Sequence, residues 1–210
     1  MSANQFGTVA IIGVGLIGAS LGLALKNAKA VTQVQKSQWI VLCAPVAQMR
    51  DLFSKIEPHL MPSTLITDAG STKSDVILAA KDTLGKKVCQ FIPAHPIAGG
   101  AQHGALAAKA DLFQGKQTIL CPLQENSAND ISLAEAFWKT VGSSVKRISA
   151  VQHDAIYAAV SHLPHILSYA LMASVLNSDD AQQKLGHAGA GFRDFTRIAC
   201  LLYTSPSPRD

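Results

Sequence analysis

The sequence predicts an α/β fold in which a doubly wound parallel sheet is followed by an all-helical segment. Short apolar segments alternate with helical segments as far as about residue 150, which is the pattern of such a sheet. From Val151 onward the pattern is helical, and no further strand is predicted. The 210 residues are 48% hydrophobic and 15% charged, which is enough apolar material for a packed core and argues against disorder.

Each predicted element has a local signal. The apolar run Thr8–Gly13 predicts a buried strand, and Leu16–Asn27 predicts the helix that follows it. Pro45 predicts the first turn of a helix that extends to Ile56, because proline is well tolerated there. The other predicted helices are Ser71–Leu84 and Ser132–Val141, and the other predicted strands are Trp39–Ala44, Leu65–Asp68, Val88–Ile92, Gln117–Cys121 and Ser144–Ile148.

The change of pattern predicts two domains and a tail. Residues 1–150 form the sheet domain, and residues 151–199 form a helical domain that Pro164 breaks or kinks. The helical part is too short to bury its own core, so we expect it to be incomplete. The last segment, Cys200–Asp210, shows no helical period and resembles the translation of a sequencing adapter, so we expect it to be non-native and to add nothing to the fold.

Charge and cysteine content narrow the class of protein. The formal net charge is +4 without a long Lys/Arg run, so a nucleic-acid partner is not expected. The apolar stretch Val9–Leu25 is interrupted by glycines and preceded by no basic residue, which argues against a signal peptide or a membrane span. The scattered cysteines favour reduced thiols in the cytoplasm over a disulfide framework or a zinc site. They are Cys43, Cys89, Cys121 and Cys200.

A glycine-rich turn predicts a dinucleotide site. Gly13, Gly15 and Gly18 follow a strand and open a helix, as in the GxGxxG turn of Rossmann-like domains. Gly13 permits the tight turn, Gly15 lets a pyrophosphate approach the backbone, and Gly18 lets helix and strand pack closely. A packing turn without a ligand is the alternative. The acidic residue expected about 20 residues later is absent from Gln33–Gln38, and no second strand is predicted before Trp39.

Two further clusters follow predicted strands at the edge of the sheet where ligands bind. Asp68–Lys73 begins a helix, so Ser71 or Thr72 is alternatively its N-cap. His95 lies in a loop of proline and glycine, and Pro96 favours an extended backbone before it. Imidazole titrates near neutral pH, which makes His95 a candidate general base.

The helical segment carries a third cluster, Ser161–His165, with Arg193–Arg197 beyond it. His162 and His165 could share a helix face, but no carboxylate at metal-binding spacing accompanies them, so no metal is predicted. Basic residues near a histidine base suit a small dianionic substrate. Packing residues with a surface ion pair are the alternative interpretation.

Taken together, these residues resemble the prephenate dehydrogenase family of tyrosine biosynthesis, which includes arogenate and cyclohexadienyl dehydrogenases. The resemblance runs in family order from the N-terminus to Ala199. The matching segments are Gly13–Gly18, Cys43–Val46, Asp68–Lys73, His95–Gly99, Asp111–Lys116, His153-Asp154, Ser161–His165 and Gly191–Ala199.

The resemblance implies NAD(P)-dependent oxidative decarboxylation of prephenate or arogenate to 4-hydroxyphenylpyruvate or tyrosine. His95 would take the hydroxyl proton, Ser71 would orient His95 and the hydroxyl, and Arg197 would bind a substrate carboxylate. His165 and Ser161 would line the substrate pocket. A cytoplasmic homodimer with NAD or NADP, NAD being preferred, is implied. The cofactor-binding residues would be Gly13, Gly15, Leu16, Ile17, Gly18, Ala44, Pro45 and Val46.

The sequence also departs from the family. A strand, a helix and a further strand are missing near residues 29–30, and we therefore expect weak cofactor binding. The stretch Gly100–His103 lacks the acid that some members carry, which leaves prephenate and arogenate both open. Another Rossmann-type hydroxyacid dehydrogenase, or a non-catalytic nucleotide-binding fragment, is the alternative function.

Overall fold

The computed structural model describes residues 6–28, 38–100 and 104–203, with side chains to Ala199. Three of the sequence-based predictions concern residues outside this description. They are the gap near residues 29–30, the window Gln33–Gln38 apart from Gln38 itself, and residues 101–103 of the stretch Gly100–His103. Two compact units are present, one ending at Asp154 and the other beginning at Ala155.

A four-stranded parallel sheet forms the first half of the first unit. Its strands are β1 (Val9–Ile12), β2 (Trp39–Leu42), β3 (Leu65–Asp68) and β4 (Phe91–Ile92), paired in the order β1-β2-β3-β4. The Rossmann-like parallel sheet expected from the sequence is confirmed. In the doubly wound order 3-2-1-4-5-6 the first strand is central, whereas β1 pairs only with β2 among the described strands. The four described strands therefore correspond to the run 1-4-5-6 of that order.

Helices cover both faces of this sheet. They are α1 (Leu16–Asn27), α2 (Met49–Ile56), α3 (Ser74–Leu84) and α4 (Ala128–Thr140). On one face, Leu21 and Leu25 of α1 share a core with Phe137 of α4, whose ring stacks on Trp39 at a centroid distance of 4.7 Å. On the other face, Phe53 of α2 meets Phe91 edge-on at 5.0 Å. Burial on both faces is why the parallel strands are almost continuously apolar.

A second sheet was not fully predicted. Its strands are β5 (Ala94–Ile97), β6 (Gln117–Leu120) and β7 (Ser144–Arg147). β5 pairs antiparallel with β6, and β6 pairs parallel with β7. The expectation that His95 lies in a loop is wrong, because His95 is in β5 opposite Ile119. Pro96 does not prevent this, since β5 is an edge strand and a proline there need not interrupt a ladder.

Three other bounds differ from the sequence-based prediction for physical reasons. The strand predicted over Val88–Ile92 is limited to Phe91–Ile92, because Gly85 takes a φ of +52° and a 3₁₀ helix follows over Gly85–Gln90. Helix α3 begins at Ser74 rather than Ser71, because the loop before it is held by side chains described below. α4 begins at Ala128, where the Ser127 hydroxyl caps it by accepting a hydrogen bond from the N–H of Asp130 at 3.1 Å.

The second unit is helical. Helix α5 (Ala150–Tyr157) leads through a π-helical segment, Ala158–His162, into α6 (Leu163–Leu176), and α7 (Ala181–Gly186) and α8 (Ala190–Tyr203) follow. The π segment lies just before Pro164, where the missing N–H interrupts the α-helical ladder. α8 continues four residues past Ala199, so the absence of helix expected from Cys200 onward is wrong as far as Tyr203. Two leucines there are good helix formers.

The segment Ala150–Leu176 is unusual in its surface. Within the described chain it is a helix long and apolar enough to cross a membrane by length and composition, with a mean hydropathy of 1.3 and only 6% of its apolar window buried. Several large apolar side chains on it are exposed. They include Val160, Leu163, Ile166, Leu167 and Leu176.

A buried ion pair should contribute strongly to the stability of the first unit. Lys73 and Asp68 are both fully buried and contact each other. Replacing Lys73 by Met should lower the free energy of unfolding by about 3 kcal/mol, because it leaves a buried carboxylate without its cation. The measurement is urea unfolding monitored by circular dichroism.

The matched control is Lys81→Met, since Lys81 pairs with Glu125 at 2.8 Å but both side chains are largely exposed. The control should unfold at nearly the same urea concentration as the unmodified chain. Equal losses in the two variants would contradict the assigned importance of the buried pair.

Candidate active site

The glycine turn lies at the carboxyl end of β1 and has the shape that a dinucleotide requires. Gly13 has a φ of +98°, and a Cβ atom there would lie 2.5 Å from the carbonyl oxygen of Cys43. A Cβ at Gly18 would overlap the carbonyl oxygen of Gly13. A Cβ at Gly15 would meet nothing within 4 Å. Two glycines are therefore needed for the protein's own packing, whereas the third faces open space.

The start of α1 supports the same interpretation. Its N-cap is Gly15, and no side chain caps this end of the helix. The first N–H groups of a helix together with the positive end of its dipole form a natural binding place for phosphate. These residues fit the pyrophosphate of a dinucleotide.

The loops after the first three strands lie beside one another. A Cβ at Gly13 would lie 3.0 Å from the amide nitrogen of Ala44, and one at Gly70 would lie 3.4 Å from a methyl carbon of Val46. One at Gly100 would lie 3.6 Å from a methyl carbon of Leu16. The structure therefore brings the predicted cofactor residues together with the loops around Asp68–Lys73 and after β5.

Cys43, which precedes Ala44, does not act as a thiolate here. Burial, with a smaller contribution from the Asp68 charge, raises the pKa of its thiol to about 12. The thiol is therefore neutral and serves as packing next to the glycine turn.

Asp68 and Lys73 connect the end of β3 to the start of β5. One carboxylate oxygen of Asp68 accepts hydrogen bonds from the Lys73 ammonium and from the N–H of Gly70, the latter at 2.9 Å. The other oxygen accepts the N–H of Ala94 at 2.9 Å. The Lys73 ammonium also donates to the carbonyl oxygen of Ala94 at 2.6 Å. Ala94, the residue before His95, is therefore held in place through both its N–H and its carbonyl oxygen.

Asp154 connects the start of α3 with the histidines. Its two carboxylate oxygens accept the N–H groups of Lys73 and Ser74, each at 2.8 Å. Asp154 thus satisfies two of the unpaired N–H groups at the start of α3, and neither Ser71 nor Thr72 forms the side-chain cap considered above. Burial opposes ionisation of Asp154, but hydrogen bonds from Ser74, His153 and the Lys73 backbone outweigh it and hold its pKa below the ordinary value.

His95 is half-buried and belongs to a chain of hydrogen bonds. Its Nδ1 lies 2.9 Å from Nε2 of His153, and Nδ1 of His153 lies 2.8 Å from a carboxylate oxygen of Asp154. His153 is fully buried. Desolvation lowers the pKa of His153, and this outweighs the opposing effect of the hydrogen bond that its Nδ1 donates to Asp154, so the ring is neutral near pH 7.

The contribution of His153 and Asp154 was missed by reasoning from sequence patterns. They were identified only as one segment of the family resemblance and were given no role. Asp154 is 81 residues from Lys73, so no local period could predict the contact. Ser71, the predicted partner of His95, is exposed in the loop before α3.

The other predicted substrate residues lie in the second unit. The carbonyl oxygen of Ser161, in the π segment, accepts a hydrogen bond from Nδ1 of His165 at 2.7 Å. Arg197 is exposed on α8. α6 and α8 pack together, with the Ser168 hydroxyl donating to the carbonyl oxygen of Phe195 at 2.9 Å. His165 and Arg197 are thus on neighbouring helices. Among the described residues no cluster of metal ligands is found.

A glycine turn at the carboxyl end of a parallel strand, opening a helix whose first N–H groups are uncapped, is typical of the nucleotide-binding domain of a nicotinamide-dependent oxidoreductase. Family comparison makes this specific. The profile of the prephenate dehydrogenase nucleotide-binding domain matches residues 15–147, and that of the prephenate dehydrogenase dimerization domain matches residues 149–202. The chain belongs to the prephenate dehydrogenase family.

Individual relatives agree. The chain is 30% identical over 226 residues to the cyclohexadienyl dehydrogenase of Zymomonas mobilis, covering 92% of this chain and 76% of that protein. It is 31% identical over 233 residues to the prephenate dehydrogenase of Lactococcus lactis, covering 94% of this chain but 63% of that protein. Both aligned stretches exceed the 210 residues of this chain, so each relative has residues without a counterpart here.

A solved structure also matches. Prephenate dehydrogenase from Aquifex aeolicus, in complex with hydroxyphenyl propionate and NAD+, superimposes with a TM-score of 0.84 at 26% identity. The match covers 98% of this chain and 81% of that one. The enzyme class expected from the sequence, an NAD(P)-dependent oxidoreductase of tyrosine biosynthesis that catalyses oxidative decarboxylation, is confirmed at the level of the family.

Gly15 provides a direct test of cofactor binding. Replacing Gly15 by Val should abolish NADH binding, because the side chain would occupy the open space beside the helix start. The fold should be retained, since no protein atom lies within 4 Å of the new Cβ. Binding is measured by NADH fluorescence titration and the fold by circular dichroism.

Gly22→Ala on the same helix is the control. Its new Cβ would make an ordinary contact of 3.6 Å with Ile11, so NADH affinity should be unchanged. Unchanged affinity in the Gly15 variant would contradict the assignment of this turn.

Proposed function

We propose that this chain oxidises prephenate or arogenate at the site around His95, with NAD as the preferred nicotinamide cofactor. The observation that carries the proposal is His95, half-buried and hydrogen-bonded to His153, in a strand whose first residue, Ala94, is hydrogen-bonded to Asp68 at the carboxyl end of β3. Membership of the prephenate dehydrogenase family favours this function over another Rossmann-type hydroxyacid dehydrogenase or a non-catalytic nucleotide-binding fragment. The NAD+ complex of the Aquifex aeolicus neighbour supports NAD.

The reaction requires a base and a place for the cofactor. A bound nicotinamide would supply the acceptor for the hydride of the ring carbon that bears the hydroxyl group. His95 takes the hydroxyl proton as the carbonyl forms, the ring carboxylate leaves as carbon dioxide, which makes the ring aromatic, and His95 returns the proton to the ring oxygen. The residues that would hold the cofactor are Gly13, Gly15, Leu16, Ile17, Gly18, Ala44, Pro45 and Val46.

The other predicted residues have supporting roles in this proposal. Ser71 orients His95 and the substrate hydroxyl, and Ser161 and His165 line the substrate pocket. Arg197 binds a substrate carboxylate, since a guanidinium offers two parallel N–H donors to such a group. Its exposed position on α8 leaves the guanidinium accessible to a ligand.

We further propose a cytoplasmic homodimer formed through the second unit. The exposed apolar residues of α6 are the surface that such a contact would cover. The segment Ala150–Leu176 is apolar enough for a membrane, but it falls almost wholly within the match to a dimerization domain. A second copy of the chain therefore accounts for this surface better than a bilayer does.

His95 is the most informative residue for the proposed reaction. His95→Asn should lower kcat by about 10²–10⁴-fold, the usual contribution of general acid–base catalysis, with a much smaller change in KM. In the unmodified chain kcat should fall at low pH, because a protonated imidazole can no longer accept the hydroxyl proton. The measurement is NADH formation with prephenate and with arogenate at saturating cofactor.

The matched control is His59→Asn, because His59 is exposed on the 3₁₀ turn after α2. Its kcat and pH profile should be those of the unmodified chain. Near-normal turnover of the His95 variant, or an acidic limb that survives the substitution, would refute the role of His95 as the base.

Arg197 should affect binding more than turnover. Arg197→Ala removes a carboxylate contact that is already present in the bound ground state, so KM for the substrate should rise about tenfold or more while kcat changes less. Lys184→Ala, which removes an exposed cation of the neighbouring helix α7, is the control and should leave KM unchanged. A fall in kcat at constant KM would show that Arg197 has a different role.

A further inference from the structure

The hydrogen-bond chain from Asp154 to His95 determines where each proton lies. The Asp154 carboxylate is ionised and can only accept, so Nδ1 of His153 must carry a hydrogen that it donates at 2.8 Å. His153 is neutral, and a neutral imidazole has only one N–H. Its Nε2 therefore bears a lone pair and must accept the hydrogen on Nδ1 of His95 at 2.9 Å.

We propose that His153 and Asp154 are positioning residues that hold His95 in the Nδ1–H tautomer, so that Nε2 of His95 is the nitrogen that accepts the substrate proton. The inference rests on the proposed function for the identity of that proton. The tautomer itself follows from the contacts among the three side chains. The three side chains form a relay, which runs from the Asp154 carboxylate through the buried neutral His153 to the half-buried His95. Within this relay, only His95 contacts the substrate.

The relay is fixed at both ends. Asp154 is held by the N–H groups of Lys73 and Ser74 at the start of α3, so its carboxylate cannot rotate without leaving those donors unpaired. At the other end, His95 lies in β5 directly after Ala94, whose N–H and carbonyl are both bonded. The imidazole of the base is therefore positioned by a helix start and by a strand.

The charges around the relay favour the protonated product of this step. Lys73, whose N–H donates to Asp154, forms a buried ion pair with Asp68, so its positive charge is partly offset. The Cys121 thiol follows β6, the partner strand of β5, and burial raises its pKa to about 12, so it contributes no charge. The negative charge of Asp154 is then the local charge that stabilises an imidazolium at His95 through the intervening ring.

The tautomer can be measured without any substrate. In protein labelled with ¹⁵N-histidine, the ¹⁵N shifts at pH 8 should show that Nδ1 of His95 is protonated and that Nε2 is not, with the signals assigned by their loss in His95→Asn. Asp154→Asn removes the carboxylate, and the shifts of His95 should move toward the opposite tautomer. A protonated Nε2 in the unmodified chain would overturn the inference.

Steady-state kinetics give a second test, because a purely structural role would not change kcat, KM and the pH dependence of kcat in the pattern expected here. Asp154→Asn should lower kcat about tenfold or more, change KM by less than about threefold, and move the acidic limb of kcat to lower pH because the stabilising charge is gone. Among His153 variants, Gln keeps an acceptor for His95 and should retain more turnover than Leu, which fills the space without one. Equal turnover in the Gln and Leu variants would overturn the inference.

Asp75→Asn is the matched control. It removes an exposed carboxylate from the first turn of the same helix that Asp154 caps, and it should leave kcat, pH profile and histidine shifts unchanged. Thermal melting of each variant shows that it is folded. Failure of the proposed reaction is detected by His95→Asn, and failure of the tautomer assignment by the substrate-free shifts, so the two are distinguishable.

Discussion

The site depends on one buried carboxylate, Asp68 at the end of β3. Taking a charge out of water is costly, so Asp68 is tolerated only with the Lys73 ammonium and two backbone N–H groups around it. Meeting this requirement draws the loop after β3 inward and joins it to Ala94. The same loop then presents the N–H groups of Lys73 and Ser74 to Asp154. The contacts that make the burial of the Asp68 charge possible therefore also position Asp154 and, through it, the two histidines.

This coupling explains why packing and chemistry meet at the same place. The carboxyl ends of parallel strands converge on one edge, and the loops there carry polar groups that the sheet itself cannot use. Gly13 and Gly18 are needed by the backbone, so the turn has its shape before any ligand arrives. Gly15 alone faces open space, and this difference among three glycines separates a binding turn from a turn built only for packing.

Local signals in the sequence predicted the elements that local physics determines. The bounds of α1 and β3 agree because glycines and a short apolar run define them. The start of α3 and the strand position of His95 could not be predicted, because they depend on Asp154 and on pairing with Ile119, both distant in sequence. Likewise His95 could be identified from the sequence by its chemistry. Its partner His153 is recognisable only in the fold, which places Nε2 of His153 2.9 Å from Nδ1 of His95.

The length of the relay has a chemical reason. A carboxylate bonded to an imidazole stabilises the protonated ring, and at His153 burial offsets this effect, so that the ring stays neutral. A general base works best when it is unprotonated at the working pH yet gains stability as it takes the proton. Placing the neutral His153 between Asp154 and His95 weakens the pull of the carboxylate but keeps its direction. The buried His153 ring therefore orients the His95 ring, while it weakens the electrostatic effect of the Asp154 carboxylate on His95. A base that operates near neutral pH requires both effects.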